Sequence, residues 1–202
     1  MWVHTFDDLI PPERYFDTHP EYFSLNNGVR SSKTQLCLSN PNVLDLVIFR
    51  LKELVAENPR ATYWSVSQND TYGPCECFGC KNLDNQYGGV PSGSLIHFVN
   101  QIAERFPTKI ISTLAYQYSR RAPTGIKPAN NVNIVLSTIE LNRSRPIKND
   151  PGSRSFVKDI SDWKKLTNNI LIWDYIVQFR NYLDPFPNLH VLQPNIQFFL
   201  DS

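Results

Sequence analysis

Three carboxylates follow apolar, strand-like segments of the sequence. Asp70 and Glu140 stand at the ends of two such segments, and Asp174 lies near the end of a third. A carboxylate next to an apolar strand is unfavourable unless it is solvated, paired or used in chemistry. Hydrolysis of a glycosidic bond usually needs two carboxyl groups, one as acid and one as base or nucleophile. We therefore predict Asp70 and Glu140 as a catalytic pair, with Asp174 lining the same pocket.

Each of these carboxylates also has a structural interpretation. Asp70 could cap the turn that follows it. Glu140 could pair with Arg143 or Arg145, and Asp174 could hydrogen-bond the polar end of a neighbouring strand. If the pair is catalytic, the two carboxyl groups should lie about 5–10 Å apart, the short end for a retaining route and the long end for an inverting one.

Polar and aromatic side chains near the same strand ends are predicted to contact the substrate. His4 follows a strand-like start to the chain, and Asn69 precedes the first carboxylate. Tyrosines that come after the last apolar residue of a strand could stack on a sugar ring. The predicted substrate-binding residues are His4, Asn69, Tyr72, Tyr118, Asp174 and Tyr175.

The four cysteines form the sharpest local pattern. Cys75, Cys77 and Cys80 fall within six residues of one long loop, and Cys37 ends an earlier strand-like segment. Four thiolates could bind a structural zinc ion. One or two disulfides could instead staple the loop in an oxidising compartment, or the thiols could be free and buried. All three interpretations are structural, and the predicted chemistry itself requires no cofactor.

Alternating strands and helices must position these residues. Short strands are expected near Leu36, Val66, Leu114, Val135 and Ile172, and a strand-like start is expected at residues 1–6. Helices are expected from Asn40 to Asn58, from Ser92 or Ser94 to Phe106, from Phe156 to Leu166, and near Ile196 with a start at Pro194. The first of these has a helical apolar stripe, an Asn cap and Pro at its first position.

Most of the expected strands are apolar throughout, as in parallel strands that helices cover. Loops after strands are long and loops after helices are short. This asymmetry predicts an α/β fold of the partial, parallel (β/α) TIM-type barrel kind, with its site on the loops after the strands. The alternative is an open doubly wound sheet. We expect one domain over residues 1–202, as a fragment of a larger barrel, whose exposed sheet edges are covered by loops or pair in a homodimer.

Composition excludes several classes of protein. The chain has 202 residues, 41% apolar and 19% charged, with a formal net charge of +1. A nearly neutral chain lacks the field that attracts nucleic acid or anionic lipid. No apolar run approaches the ~20 residues of a membrane helix. Neither nucleic acid nor membrane is therefore an expected partner. The first residues do not resemble a signal peptide, and both ends look excised from a longer protein.

Several motifs resemble a bacterial family of unknown function. They are Tyr15–Phe23, Gln35–Pro41, Ser67–Asp70 with the three clustered cysteines, and Leu114–Tyr116. The family comprises large polysaccharide-locus proteins similar to the barrel of α-glucuronidases and other glycoside hydrolases. This resemblance implies a TIM-type barrel, a carbohydrate partner that could contain uronic acid, and a secreted or periplasmic location. It also implies a further strand with a glutamate beyond Ser202.

Three functions remain open at this point. The chain could be a glycoside hydrolase-like domain, a non-catalytic carbohydrate-binding module or a metal-stabilised interaction domain. A buried carboxylate pair in a deep pocket favours the first, and an aromatic groove without such a pair favours the second. Four thiolates around a metal without a cleft favour the third.

Overall fold

A four-stranded parallel sheet organises the chain. The computed structural model describes residues 3–186 and 188–202. The strands are β3 (Tyr63–Ser65), β4 (Ile110–Ala115), β5 (Val132–Ser137) and β6 (Ile170–Trp173). They lie side by side in sequence order and every pair is parallel. The strands predicted near Val66, Leu114, Val135 and Ile172 are confirmed, and the fold is mixed α/β.

Helices connect these strands and cover one face of the sheet. The long helices are α3 (Pro41–Glu57), α5 (Ser92–Arg105), α6 (Arg154–Leu166) and α7 (Leu189–Asp201). The first three were predicted from their apolar periodicity and are confirmed. Asn40 caps α3 as expected, because its side-chain oxygen accepts a hydrogen bond from the Asn42 amide at 2.9 Å. In α7, Pro194 lies inside the helix instead of starting it.

The two faces of the sheet differ in composition. Ile111, Ile134 and Ile172 point into the apolar core that the helices complete. Residues of the opposite parity, including Ser112 and Asn133, are buried but more polar. The Oγ of Ser112 and the Oδ1 of Asn133 have no hydrogen-bond partner among the described residues. The second face is therefore not an apolar core layer.

The strand predicted near Leu36 is wrong. Leu36 forms only an isolated antiparallel bridge with Phe23 and is not part of the parallel sheet. Leu36 is 1% exposed, so this apolar side chain is buried by packing within a loop and not within a strand. The actual strand content of this region is a small antiparallel hairpin, β1 (Leu25–Asn26) with β2 (Val29–Arg30).

Two other segments differ from the expectation. The long loop that carries three cysteines contains a helix, α4 (Phe78–Gln86). The strand-like start at residues 1–6 forms no strand over its described part, and the short helices α1 (Phe6–Leu9) and α2 (Pro12–Tyr15) follow it. Met1 and Trp2 lie outside the described residues. Among the described residues, no helix combines the length and hydrophobicity needed to cross a membrane.

Candidate functional site

A cavity of about 260 Å³ lies at the carboxyl ends of the four parallel strands. β4, β5 and β6 supply it with residues at or near their ends, and Asp70 comes from the loop after β3. The aromatic lining residues are Tyr116, Trp173, Tyr175 and Phe179, and the polar lining residues are His4, Asp70 and Ser137. Leu114, Val3 and Ile139 complete the wall. The cavity is therefore mostly aromatic and apolar with a few convergent polar groups, as small-molecule sites usually are.

Asp70 is the carboxylate of this cavity. It follows β3, its side chain is exposed, and Tyr116 donates a hydrogen bond to its Oδ1 at 2.8 Å. Burial, followed by this hydrogen bond to Asp70, raises the pKa of Tyr116 above its ordinary value. Tyr116 therefore stays protonated at neutral pH and remains a donor.

The backbone next to this pair is in an unusual conformation. Gln117 has φ +47°, which is uncommon for a residue other than glycine, and its Nε2 donates to the Tyr116 hydroxyl at 2.9 Å. The strand ends at Ala115 and a short 3₁₀ turn, Gln117–Ser119, follows at once. This turn directs Tyr116 towards the cavity.

His4 is held against the same wall. It has φ +57°, and its amide donates to Ser67 Oγ at 2.9 Å. Its Nδ1 lies 2.8 Å from the carbonyl oxygen of Gln68. A carbonyl can only accept, so Nδ1 carries the proton and, in the neutral ring, Nε2 is an acceptor. The ring also contacts Tyr116 edge to face at 5.8 Å between centroids.

Asn69 supports Asp70 from behind instead of lining the cavity. Its Nδ2 donates to Asp7 Oδ1 at 2.7 Å and to the Thr34 carbonyl at 2.8 Å. Gln35 clamps the same segment, because its Oε1 accepts from the Asn69 amide and its Nε2 donates to the Asn69 carbonyl, both at 2.9 Å. Gln35 opens one of the motifs that carry the family resemblance, but nothing in the sequence assigned it this role.

The remaining predicted tyrosines divide between two places. Tyr175 lines the cavity and packs edge to face on Phe179, with centroids 5.6 Å apart. Tyr72 and Tyr118 contact each other at 6.4 Å and are not among the described residues that line the cavity. Tyr116 and Trp173, which do line it, were not among the residues predicted to bind the substrate. The available signal was alternation along the chain: Tyr116 is two residues from Leu114, and Trp173 is two residues from Tyr175.

Glu140 lies outside the lining of the cavity formed by the described residues. Its carboxylate pairs with Arg120, not with Arg143 or Arg145 as one interpretation expected. Arg120 also binds Asp159, with 2.7 Å between Nε and Oδ2. Glu140 is therefore held in a partly exposed ion-pair network, with 47% of its side chain exposed.

Asp174 likewise has structural partners. Thr138 donates a hydrogen bond to its Oδ1 at 2.6 Å, and Arg143 lies 3.9 Å from the same oxygen. The Arg143 guanidinium stacks over Tyr175, 4.9 Å from the ring centroid. Among the described residues, Asp174 does not line the main cavity but holds Arg143 behind one of its aromatic walls.

The four cysteines converge on one point. Their sulfur atoms all lie within 4.8 Å of one another, and those of Cys37 and Cys77 are 3.5 Å apart. All four thiols are free, so the structure contains none of the predicted disulfides between them. Cys37, Cys75 and Cys80 are buried and Cys77 is half-buried. The arrangement is compatible with metal binding.

Electrostatics favour one negative charge in this cluster, on Cys37, while the hydrogen bond to Cys37 is the largest cause that raises the pKa of Cys80 far above its ordinary value. Hydrogen bonds from Cys75 and then Cys80 lower the pKa of the Cys37 thiol far below its ordinary value. The reciprocal bond to Cys37 is the largest cause that raises the pKa of Cys75 to about 12. Arg30 adds positive charge, since its Nη1 lies 3.8 Å from the Cys75 sulfur.

Comparison with known proteins gives a family but no assigned activity. The sequence model of the family "Domain of unknown function (DUF4838)" matches residues 1–202. No curated protein matches the chain. Among solved structures, the chain is similar to the GH36 alpha-galactosidase AgaB from Geobacillus stearothermophilus, with 13% identity and a TM-score of 0.33. The match covers 92% of this chain and 28% of the alpha-galactosidase chain.

Proposed function

The chain belongs to the family Domain of unknown function (DUF4838), and we propose that its cavity binds one ring of a carbohydrate within a glycoside hydrolase-like partial barrel. The observation that carries this proposal is the meeting of Asp70, Tyr116 and the aromatic wall at the carboxyl ends of the strands. Active sites of (β/α) barrels occupy this position.

The strand order supports a partial barrel over the doubly wound alternative. The four strands follow one another across the sheet without a reversal of order. A doubly wound sheet binds its ligand where the order reverses, whereas the barrel adds strands in one direction. The partly polar second face, with Ser112, Asn133 and Ser137, corresponds in this interpretation to the interior of the barrel.

The chemistry of the cavity suits a sugar ring. Aromatic faces such as those of Trp173 and Tyr175 can stack on the C–H face of a pyranose, and Asp70 can accept hydrogen bonds from its hydroxyl groups. Pockets for drug-sized ligands measure about 300–1,000 Å³. A cavity of about 260 Å³ therefore suits a single ring whose neighbouring sugars extend outwards.

Binding is better supported than hydrolysis. Of the described residues that line the cavity, Asp70 is the only carboxylate. Glycoside hydrolysis usually needs a second one about 5–10 Å away. In the hydrolytic alternative, Asp70 is the nucleophile or base and Glu140 the acid, and Glu140 must leave Arg120 to reach the sugar. We keep hydrolysis as the second candidate because Asp70 occupies the position of a barrel catalytic residue.

The proposal extends to the source of the ligand, the location of the protein and its oligomeric state. The ligand would be part of a polysaccharide, with uronic acid among the candidate sugars, and the protein would act outside the cytoplasm. The net charge of +1 is consistent with a carbohydrate partner rather than nucleic acid or an anionic membrane. A homodimer through a free sheet edge, most simply β6 with its partly exposed Leu171, also belongs to the proposal.

A binding titration tests the proposed function. Calorimetry with a panel of neutral and uronic-acid-containing oligosaccharides should detect at least one ligand. Replacement Asp70→Asn should weaken that ligand at least ~10-fold, since hydrogen bonds to charged groups contribute about 1.5–3 kcal/mol. Asp45→Asn, at an exposed position on α3, is the matched control and should leave affinity unchanged. Equal binding by both variants would remove Asp70 from the site.

Release of reducing sugar separates the two candidates. Incubation of each bound oligosaccharide with the intact chain should give no new reducing ends if the site only binds. Turnover that disappears in both Asp70→Asn and Glu140→Gln would instead establish the hydrolytic candidate.

A further inference from the structure

We propose that Cys37, Cys75, Cys77 and Cys80 bind one structural zinc ion through four thiolates. Zinc in such sites is tetrahedral, and Zn–S bonds of about 2.3 Å place the sulfurs about 3.8 Å apart. The sulfurs here all lie within 4.8 Å of one another. The four side chains therefore surround a common centre at nearly the spacing that a tetrahedral ion requires.

The groups around the sulfurs suit thiolates. The Leu25 amide donates to the Cys75 sulfur at 3.4 Å, and the Cys80 amide donates to the Cys77 sulfur at 3.5 Å. Ser39 Oγ lies 3.4 Å from the Cys77 sulfur. Such outer partners orient metal ligands and stabilise their charge. Arg30 offsets part of the net charge of −2 that a four-thiolate zinc site carries.

Close packing brings the start of α4 against the segment that carries Cys37. Cys80 lies in the first turn of α4, and Cys77 caps that helix. Gly79 lets the helix approach Ser39, because a Cβ atom at that position would lie 2.5 Å from Ser39 Oγ.

Zinc accounts for this geometry better than disulfides do. A disulfide draws two sulfurs to about 2.05 Å and turns them away from any others. Here Cys37 and Cys77 are 3.5 Å apart, and the four sulfurs share one centre instead of forming two separate pairs. Thiolate ligands in a tetrahedral set are typical of zinc. Iron is the competing metal for four sulfurs, and the test distinguishes it.

The ion would fasten segments that are distant in sequence. Cys37 follows the bridge between Leu36 and Phe23, whereas the other three ligands lie about 40 residues later. The same segments are joined beside the cluster, where Glu76 donates its amide to the Leu25 carbonyl at 2.7 Å. Loss of the ion should therefore loosen the hairpin and the loop after β3 together.

Metal analysis of the intact chain, purified with a thiol reductant and without chelator, tests the proposal. Elemental analysis should give one zinc per chain, and titration of the denatured, metal-stripped protein should give four thiols. Cobalt(II) added to the stripped protein should give the intense visible and sulfur-to-metal absorption of a tetrahedral thiolate site. Absence of bound metal, stoichiometric iron, or fewer than four titratable thiols would each overturn it.

Two variants keep the test informative. Cys77→Ser replaces the most exposed ligand and should lower zinc affinity at least 100-fold and shift the cobalt spectrum. Ser39→Ala keeps all four ligands and should retain the zinc stoichiometry, with affinity lowered about 10–100-fold as for other outer partners. A cobalt spectrum that is identical in Cys77→Ser and the unmodified chain would remove Cys77 from the metal site. Amide exchange in residues 69–77 should rise when zinc is stripped from the unmodified chain.

Discussion

The cysteine cluster and the strand-end cavity are neighbouring regions that differ in their exposure to solvent. Cys80 is 1% exposed and the cluster is enclosed by backbone amides, whereas Asp70 is exposed at the mouth of an aromatic cavity. An enclosed polar cluster stabilises a single conformation, and an open cavity exchanges its contents with solvent. Changes at the cluster should therefore affect folding, and changes at the cavity should affect binding.

The two regions are joined by the segment between Asn69 and Cys80. Gln35 holds the start of this segment through Asn69 and Thr71. Asn26, in the hairpin beside the cluster, donates to the Pro74 carbonyl at 2.8 Å. Residues within this connection should therefore affect both folding and binding.

The largest expected effect is on stability, from Cys37→Ser. Removing a ligand from a structural zinc site forfeits binding energy that is also folding energy. We expect the free energy of unfolding in urea to fall by about 4 kcal/mol or more, a size that point mutations reach only through such mechanisms. A fall below about 1 kcal/mol would contradict a structural role for the cluster. Because zinc ligands must lose protons, the metal-bound protein should also lose stability as the pH falls.

Gln35→Ala tests the connection between the two regions. Gln35 is 2% exposed, and its loss leaves the Asn69 amide and carbonyl without their side-chain partner. Each buried group left unsatisfied costs about 1–3 kcal/mol, so unfolding free energy should fall by about 2–3 kcal/mol. Sugar affinity should fall as well. Destabilisation with unchanged affinity would show that the cavity does not depend on this clamp.

Asp70→Asn should weaken sugar binding without changing stability. The side chain is exposed and its removal leaves no buried charge, so unfolding free energy should change by no more than about 0.5 kcal/mol. Thermal unfolding measured beside the binding titration checks this. Destabilisation of about 2 kcal/mol or more would identify Asp70 as a turn cap, the structural interpretation that the sequence left open.

Tyr116→Phe removes the hydroxyl that donates to Asp70 and accepts from Gln117, and it keeps the aromatic wall. The bond from its hydroxyl to Asp70 Oδ1 is 2.8 Å long. A typical hydrogen bond contributes about 0.5–1.5 kcal/mol, so sugar affinity should fall roughly 2–12-fold. Calorimetry with the same oligosaccharide measures the change. A loss as large as that of Asp70→Asn would mean that the hydroxyl itself contacts the ligand.

Glu140→Gln should have the smallest effect. Its ion pair with Arg120 is half-exposed, and such pairs contribute about 0–1 kcal/mol. Sugar affinity should remain within about two-fold, and Asp159 should still hold Arg120. Loss of affinity or of turnover would restore Glu140 to the catalytic role that its position in the sequence suggested.

The helices and parallel strands could be predicted because their side chains follow simple periods. α3 and α5 carry an apolar residue every three or four positions, and β5 is apolar at its centre. α4 could not be predicted, because its sequence FGCKNLDNQ has no apolar stripe and the cysteines hold it in place. The strand near Leu36 was predicted wrongly because its apolar residues are buried within a loop, so they resemble a strand in sequence.

The site could be predicted only in part. Asp70, His4 and Tyr175 were predicted from their positions at strand ends, and all three line the cavity. β3, β4 and β5 end before their apolar runs do, and the residues beyond β4 turn through φ +47° at Gln117. Because these turns depend on tertiary contacts, the sequence could not show that Tyr116 enters the cavity while Glu140 binds Arg120.

The most direct test of the central claim is a two-dimensional ¹H–¹⁵N NMR titration of the tryptophan indole signals with the oligosaccharide panel. Trp173 lines the cavity, whereas the Trp163 indole is buried and donates to the Arg120 carbonyl at 2.8 Å. We predict that at least one saccharide shifts the Trp173 signal in a saturable way, leaves the Trp163 signal in place and loses this effect in Asp70→Asn. A panel without any shift at Trp173, or with the same shift in Asp70→Asn, would contradict a carbohydrate site at the strand ends.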